Sequence, residues 1–467
     1  MCVTILTTMR RYLCYYAHDH LDFRLPELNA VASLAGINTL TVVDEYDHRE
    51  CKLSPFFLVD LPSEACAVNM AARSILMKSV YELWGFGSTF GALVNSLREF
   101  PSARTDTFCR PDSSFKILVE TFCKKVPLSY KVQLIDKLKF LPLRGKLQLT
   151  KPDHVFCLFQ DYGCDPNSAP SDPYRWFFGR LVVHSQREIV DQYSVKKRHF
   201  IGNTSMDAQL TFLMANQAKV QKHQLVCDPF VGTGSILIAC AHFGAHVVGT
   251  DIDSRILRGT GKSSRAGENR TRGPDENLRS NLRQYNLESK YGDVLIADFA
   301  QNTWTCRPLF DAIVTDPPYG IREGAWKIGC RKGEAYAIPE HLRDGHIPSR
   351  KLYPLSEVLS DLLLFAAHCL VLHGRLVYWL PVYRADYQPN LIPTHPCLTL
   401  ITNSEQVLSK DTSRRLLTME KTNEPTPETH LCESLQNKWY DSFRTNYFAR
   451  QRMKSDRARE TSSSSVS

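Results

Sequence analysis

A chain of 467 residues with 43% hydrophobic content is too long for one compact core and is expected to build two or three domains. Its 15 cysteines are scattered singly, which excludes a disulfide framework and points to a reducing, cytoplasmic setting. No apolar run reaches the ~20 residues that a bilayer-spanning helix needs, and the formal charge of +8 fits an anionic polymer as partner. At the start, Arg10 and Arg11 follow the apolar stretch, the reverse of a secretory signal.

In chain order, the first part reads as α+β. Tyr12 to Tyr16 is expected to be a strand, Leu25 to Leu34 an amphipathic helix, and Thr39 to Val43 and Phe56 to Val59 two more strands. Helices over Ala72 to Glu82 and Phe90 to Arg98 follow. Next come a strand over Phe115 to Glu120, helix-like residues from Leu134 to Leu138 and a strand over His154 to Leu158. Asp161 to Asp172 is rich in Pro, Asp and Ser and reads as the start of a linker. The expected division is 1–65, 66–160, a linker over 161–200, a catalytic domain over 201–422 and a basic tail over 423–467, with Thr461 to Ser467 disordered.

Within the catalytic part, Leu225 to Asp228 reads as a strand, Pro229 to Gly234 as a turn, Ser235 to Phe243 as a helix and Ala245 to Asp251 as a second strand. Gly232 and Gly234 let the backbone approach a ligand closely, and Asp251 can accept from two ribose hydroxyls. A dinucleotide loop has a further glycine where Leu237 stands, so the turn suits a nucleoside without phosphates, and S-adenosylmethionine is such a ligand. Gly292 to Asp298 is the next expected strand, with Asp298 placed to accept from an adenine amino group. Gly261-Lys262-Ser263 only resembles a phosphate loop, because Ile256 occupies the first glycine position; no metal-ligand spacing occurs.

Phe310 to Thr315 is expected to be a buried strand that runs into Asp316-Pro317-Pro318-Tyr319-Gly320. The Asp316 carboxylate and the Pro317 carbonyl can each accept one N–H of a planar exocyclic amine, which turns its lone pair toward an electrophile. The prolines stiffen the turn, and Tyr319 offers the base a stacking surface. Leu362 to Ala367 reads as a buried crossover helix; strands over Gly374 to Leu380, Cys397 to Ile401 and Leu416 to Glu420 follow. Basic residues gather at Lys196-Lys197-Arg198, between Arg255 and Arg283, and between Arg450 and Arg459. These residues point to methylation of an exocyclic amine. A DNA adenine or protein glutamine methyltransferase, or a non-catalytic RNA-binding subunit that keeps the fold, stays open at this level.

The runs Phe178-Gly179-Arg180, Tyr193 to Asp207, Asp228 to Gly234, Thr250 to Asp253 and Asp316 to Glu323 resemble those of the catalytic subunits of eukaryotic tRNA guanosine-10 N2-methyltransferases. The resemblance covers nearly the whole chain. It implies an α/β Rossmann-like methyltransferase domain with a mostly parallel seven-stranded sheet, preceded by an α+β ferredoxin-like and THUMP RNA-binding region that grips the tRNA acceptor end. It also implies S-adenosylmethionine as methyl donor and a small zinc-binding activator subunit covering an apolar surface of the methyltransferase domain. Thr204 and Ser205 match the stretch that closes over the donor, and Asp228 and Phe230 belong to its loop. Ser235 stands where the family often shows another glycine, with little effect expected on donor binding.

Overall fold

The computed structural model describes residues 9–37, 39–43, 54–264, 270–301, 303–321, 324–329, 339–342, 348–426 and 440–449. Arg265, Arg322, Glu323 and the basic tail from Arg450 onward lie outside the described residues. The chain divides into two compact units, Met1–Glu188 and Ile189–Ser467.

In the first unit, strands β1 (Arg10–Tyr16), β2 (Thr41–Val42), β3 (Phe56–Leu61), β4 (Met77–Gly87), β5 (Ser114–Phe122), β6 (Lys146–Leu147), β7 (His154–Asp161) and β8 (Arg175–His184) share one mixed sheet in the order β2-β3-β1-β4-β8-β7-β5-β6. Side chains alternate across it. Phe156, Leu158 and Phe178 pack with Trp84 and Leu93, while Cys157, Phe159 and Phe177 pack with Leu13, Phe56 and Tyr81. Both faces of its central strands are therefore covered.

Two sequence expectations are corrected here. Residues Ala72 to Glu82 are not a helix. The helix is Glu64–Ala71, begun by the Ser63 side chain accepting from the Cys66 amide at 3.3 Å, and β4 follows after a turn. Buried Glu27 holds that turn. It accepts from Ile75 N at 2.7 Å, Leu76 N at 3.1 Å and Ser74 Oγ at 2.7 Å, which takes those amides away from any helical partner. The stretch 161–200 carries more than connection: β8 lies in it, paired with β4 on one side and β7 on the other. The Phe178-Gly179-Arg180 run is a packing device. Phe178 enters the core, a Cβ on Gly179 would lie 2.5 Å from the Glu82 carbonyl oxygen, and Arg180 Nε donates to buried Glu82 Oε2 at 3.2 Å.

The second unit contains β9 (Leu225–Asp228), β10 (His246–Asp251), β11 (Tyr291–Ile296), β12 (Phe310–Thr315), a small hairpin of β13 (Trp326–Ile328) and β14 (Arg350–Leu352), then β15 (Leu370–Tyr383), β16 (Leu398–Val407) and β17 (Thr412–Lys421). Its seven-stranded sheet has the order β11-β10-β9-β12-β15-β17-β16, and only β17 runs against the rest. Crossover helices Ser235–His242, Leu278–Gln284 and Leu355–Cys369 bury Leu237, Leu282 and Leu362. This is the Rossmann-like, mostly parallel sheet that was expected. Chain order reverses between β9 and β12, where a crevice opens at the carboxyl ends of the strands. No described helix is long and apolar enough to cross a membrane.

The close approach at Gly179 has a measurable consequence. Gly179→Ala drives a methyl group into the β4 backbone and is expected to cost about 2 kcal/mol. The thermal midpoint of the full chain, followed by circular dichroism, should fall by several degrees; an unchanged midpoint would show that the sheet absorbs the methyl group.

Candidate active site

The four neighbouring parallel strands each deliver a carboxylate to the same edge. Asp228 ends β9, Asp251 ends β10, Asp298 lies two residues past β11, and Asp316 directly follows β12. All four line one cavity of about 1060 Å3, together with Thr204, Ser205, Phe230, Gly232, Pro317 and Tyr319. Gly234 is the one sequence-nominated residue that does not line it. Its φ of +78° starts the following helix, and a Cβ there would lie 2.7 Å from Leu278 Cδ1, so its smallness serves packing behind the loop.

The turn after β9 is built by backbone donors folding onto carboxylates. Gly232, at φ +51°, donates to Asp251 Oδ2 at 2.8 Å, and Asp253 N donates to Asp251 Oδ1 at 2.8 Å. The atom nearest to a Cβ on Gly232 would be Thr204 Oγ1 at 4.0 Å, so open space adjoins this backbone. Ser205 Oγ lies 2.7 Å from Thr233 Oγ1 and accepts from Gly202 N at 2.8 Å, which lays the 202–205 segment over the glycine turn. Phe230 packs edge-on against Phe299 with centroids 4.8 Å apart. Asp298 accepts from Ala300 N at 3.0 Å and from Ile328 N at 2.6 Å, and so ties the β13–β14 hairpin to the cavity rim.

Asp228 is 1% exposed. Its Oδ1 accepts from Thr315 Oγ1 at 2.6 Å and from Phe230 N at 3.0 Å, while its buried Oδ2 has no partner among the described residues. Burial pushes this carboxyl up to about 7 from its ordinary 3.8; the nearby charges of Asp251 and Asp316 add to the rise, and the two hydrogen bonds oppose it.

At the β12 end, Asp316 is held from two sides. The Tyr319 hydroxyl donates to Oδ1, and Arg414 Nη1 donates to Oδ2 at 3.4 Å. Burial, and then the Asp316 charge, push the Tyr319 phenol well above its ordinary range, so it keeps its proton and remains a donor. Its ring packs partly buried against the core of the unit. Arg414 stands with Cζ 4.0 Å over the Trp379 ring and donates from Nε to Gln406 Oε1 at 2.6 Å.

Arg414 on β17 was not singled out from sequence, nor were Tyr383, Phe443 and Tyr447, which also line the cavity. They lie far along the chain from the loops and belong to no local motif. Of the basic stretch after Asp251, Arg255, Lys262 and Arg272 reach the lining. Arg272 is occupied structurally, donating to the carbonyls of Thr260 at 3.1 Å and Ile201 at 3.3 Å. Among the described residues no cluster of His, Cys, Asp or Glu is arranged to hold a metal ion.

The raised Asp228 carboxyl makes stability depend on pH. The folded protein keeps a proton that the unfolded chain releases near pH 4, so stability falls as pH rises from about 4 to about 7 and the full cost persists above that. Asp228→Asn is expected to remove this slope and to stabilise the fold at pH 8 by on the order of a few kcal/mol, which raises the melting temperature there. Melting curves of both proteins across pH 5 to 8 check it; parallel curves would show that Asp228 is ionised throughout.

The family description "Tmrp11 THUMP N-terminal domain" matches residues 10–187, and "RMKL-like, methyltransferase domain" matches residues 196–328. The chain is 48% identical over 447 residues to "tRNA (guanine(10)-N(2))-methyltransferase TRMT11" of Mus musculus, covering 95% of this chain and 96% of that protein. It is 48% identical to the protein of the same name from Bos taurus, over 94% of this chain and 95% of that one. With the Homo sapiens protein of that name the identity is 47%, over 95% of this chain and 96% of that one. A THUMP-bearing amino-terminal unit, a methyltransferase sheet and near full-length likeness make this chain a member of the tRNA (guanine(10)-N(2))-methyltransferase TRMT11 family.

Proposed function

We propose that this chain transfers a methyl group from S-adenosylmethionine to the N2 amine of guanosine 10 in tRNA. The observation that carries the reading is the convergence of Asp316 with Gly232 and Asp251 on one cavity, bound together by the Thr315–Asp228 hydrogen bond. The cavity fits the donor. Asp228 Oδ2 is a buried oxygen without a partner among the described residues, Gly232 has open space beside it, and Asp251 is an acceptor at the tip of β10. Thr204, Ser205, Asp228, Phe230, Gly232, Asp251 and Asp298 would hold the donor, and Gly234 would support the loop from behind. When bound, S-adenosylmethionine supplies an electrophilic methyl group.

The remaining work belongs to the chain. The guanine leaves its stack to reach the site. Asp316 accepts one N–H of its exocyclic amine and the Pro317 carbonyl accepts the other, so the lone pair faces the donor. Tyr319 fixes the Asp316 carboxylate through its hydroxyl and offers its ring to the base. Placement of this kind contributes on the order of several kcal/mol. Asp316 need not be a strong base, because the amine becomes acidic once methylated. We assign the tRNA acceptor end to the unit that contains the THUMP match, and this assignment favours structured RNA over DNA adenine or protein glutamine as substrate. The scattered free thiols suit a cytoplasmic enzyme.

The zinc-binding activator we place on β11. This strand is an outer edge of the seven-stranded sheet, and it exposes Leu295 and Ile296 at 45% and 46%. An exposed apolar edge invites a covering partner.

Three measurements test these assignments. Unmethylated tRNA is incubated with the full chain and its activator, and its nucleosides are analysed by mass spectrometry. Asp316→Ala is expected to abolish N2-methylguanosine while donor affinity in a calorimeter stays within about threefold; Asp251→Ala is expected to weaken donor binding about tenfold or more. Turnover surviving in Asp316→Ala would remove that carboxylate from the mechanism. For the partner, Leu295→Lys is expected to abolish co-purification of the activator; full recovery of the pair would place it elsewhere.

A further inference from the structure

The helix spanning 440–449 is fastened to the cavity wall at several points. Tyr440, 2% exposed, donates through its hydroxyl to the Leu391 carbonyl. Asp441 accepts from Ser356 N at 3.1 Å and Ser356 Oγ at 2.8 Å, at the start of helix Leu355–Cys369. The Tyr383 hydroxyl donates to the Phe443 carbonyl at 3.2 Å. Arg444 Nε donates to the Gly320 carbonyl at 2.9 Å, and Gly320 closes the Asp316 loop at φ +74°.

This docking brings one face of the helix to the cavity. Phe443 and Tyr447, four residues apart, both line it. Phe443 is buried and packs on Tyr383 with centroids 4.9 Å apart. Tyr447 lies 6.5 Å from Phe443, centroid to centroid, and is only half-buried, so its ring remains available. Tyr319 has its hydroxyl committed to Asp316 and its ring packed partly against the core. A planar base entering beside it would still need an aromatic face from another element.

We propose that the target base stacks on Tyr447, which makes helix 440–449 part of the substrate site. Phe443 backs the ring, and Arg444 holds the helix to the loop that presents Asp316. The proposal rests on the methyltransferase reading above and adds to it a base-stacking residue that is remote in sequence from every motif.

The test uses the full chain with its activator. Tyr447→Ala is expected to lower kcat/KM for tRNA by about ten- to a hundredfold while donor affinity is unchanged. Tyr447→Phe should restore the rate, and Tyr447→Leu, which keeps apolar bulk without a π face, should not. A tRNA carrying 2-aminopurine at the methylated position adds a direct readout: its fluorescence in the complex should be quenched by wild type and by Tyr447→Phe, and be brighter with Tyr447→Ala. Wild-type rates in Tyr447→Ala, or a leucine variant as active as the phenylalanine one, would overturn the stacking role alone. A wild-type chain that methylates no tRNA would overturn the underlying reading as well.

Discussion

The hydrogen bond from Thr315 Oγ1 to Asp228 Oδ1 joins the ends of two neighbouring strands in a place almost closed to water. Parallel pairing of Ile313 with Cys227 sets those ends side by side, and the bond then fixes the two outgoing loops against each other. After β9 the chain turns toward β10; after β12 it crosses to β15, on the far side. The crevice between the loops is a result of strand order, and its contents are set by the residue at each strand tip. A small shift of β12 against β9 would move the Asp316 loop relative to the glycine turn while leaving each loop intact.

Two carboxylates one strand apart are given opposite surroundings. Asp228 is enclosed, keeps an oxygen without a partner among the described residues and faces the negative charges of Asp251 and Asp316, so it holds a proton far above the usual carboxylate range. Asp316 is partly exposed and is answered by a guanidinium and a phenol hydroxyl. A cationic ligand beside Asp228 would relieve its enclosure, whereas Asp316 presents acceptors toward the remaining space. The division suits a site where one carboxylate faces a positively charged donor and the other orients a neutral amine.

Much of this was legible in the sequence because the methyltransferase strands end in visible signals. Asp228, Asp251 and Asp316 each close an apolar run, and the helix from Ser235 is marked by the glycine turn before it. The amino-terminal sheet was harder to read. Met77 to Gly87 is covered on both faces, so its apolar residues do not alternate with polar ones, and periodicity alone cannot separate such a strand from a buried helix. What breaks the helix there is Glu27, some fifty positions earlier in the chain, and no local pattern records that contact. Strand β8 was hidden behind the Pro- and Ser-rich stretch that precedes it. Arg414 and Tyr447 are invisible for a related reason: they enter the site through tertiary packing and carry no spacing relation to the loops they serve.

The long run from Tyr193 to Asp207 shows how a motif can serve a site from behind it. Tyr193 stacks on Tyr285 at 4.2 Å, and Phe200 exchanges two backbone–side-chain hydrogen bonds of 2.8 Å with Asn281, so the run is strapped to the helix Leu278–Gln284. Buried Arg198 then donates to Ser235 Oγ at 2.6 Å, and Met206 N donates to the same oxygen at 3.2 Å. Ser235, read from sequence as a harmless replacement for glycine, is thus the junction between this strap and the helix that follows the glycine turn. From there Ser205 meets Thr233, and the segment lies over the turn itself. A buried guanidinium is costly unless its donors are satisfied. A serine hydroxyl at this position supplies an acceptor that a glycine lacks, and it couples the order of the covering segment to the order of the turn beneath it.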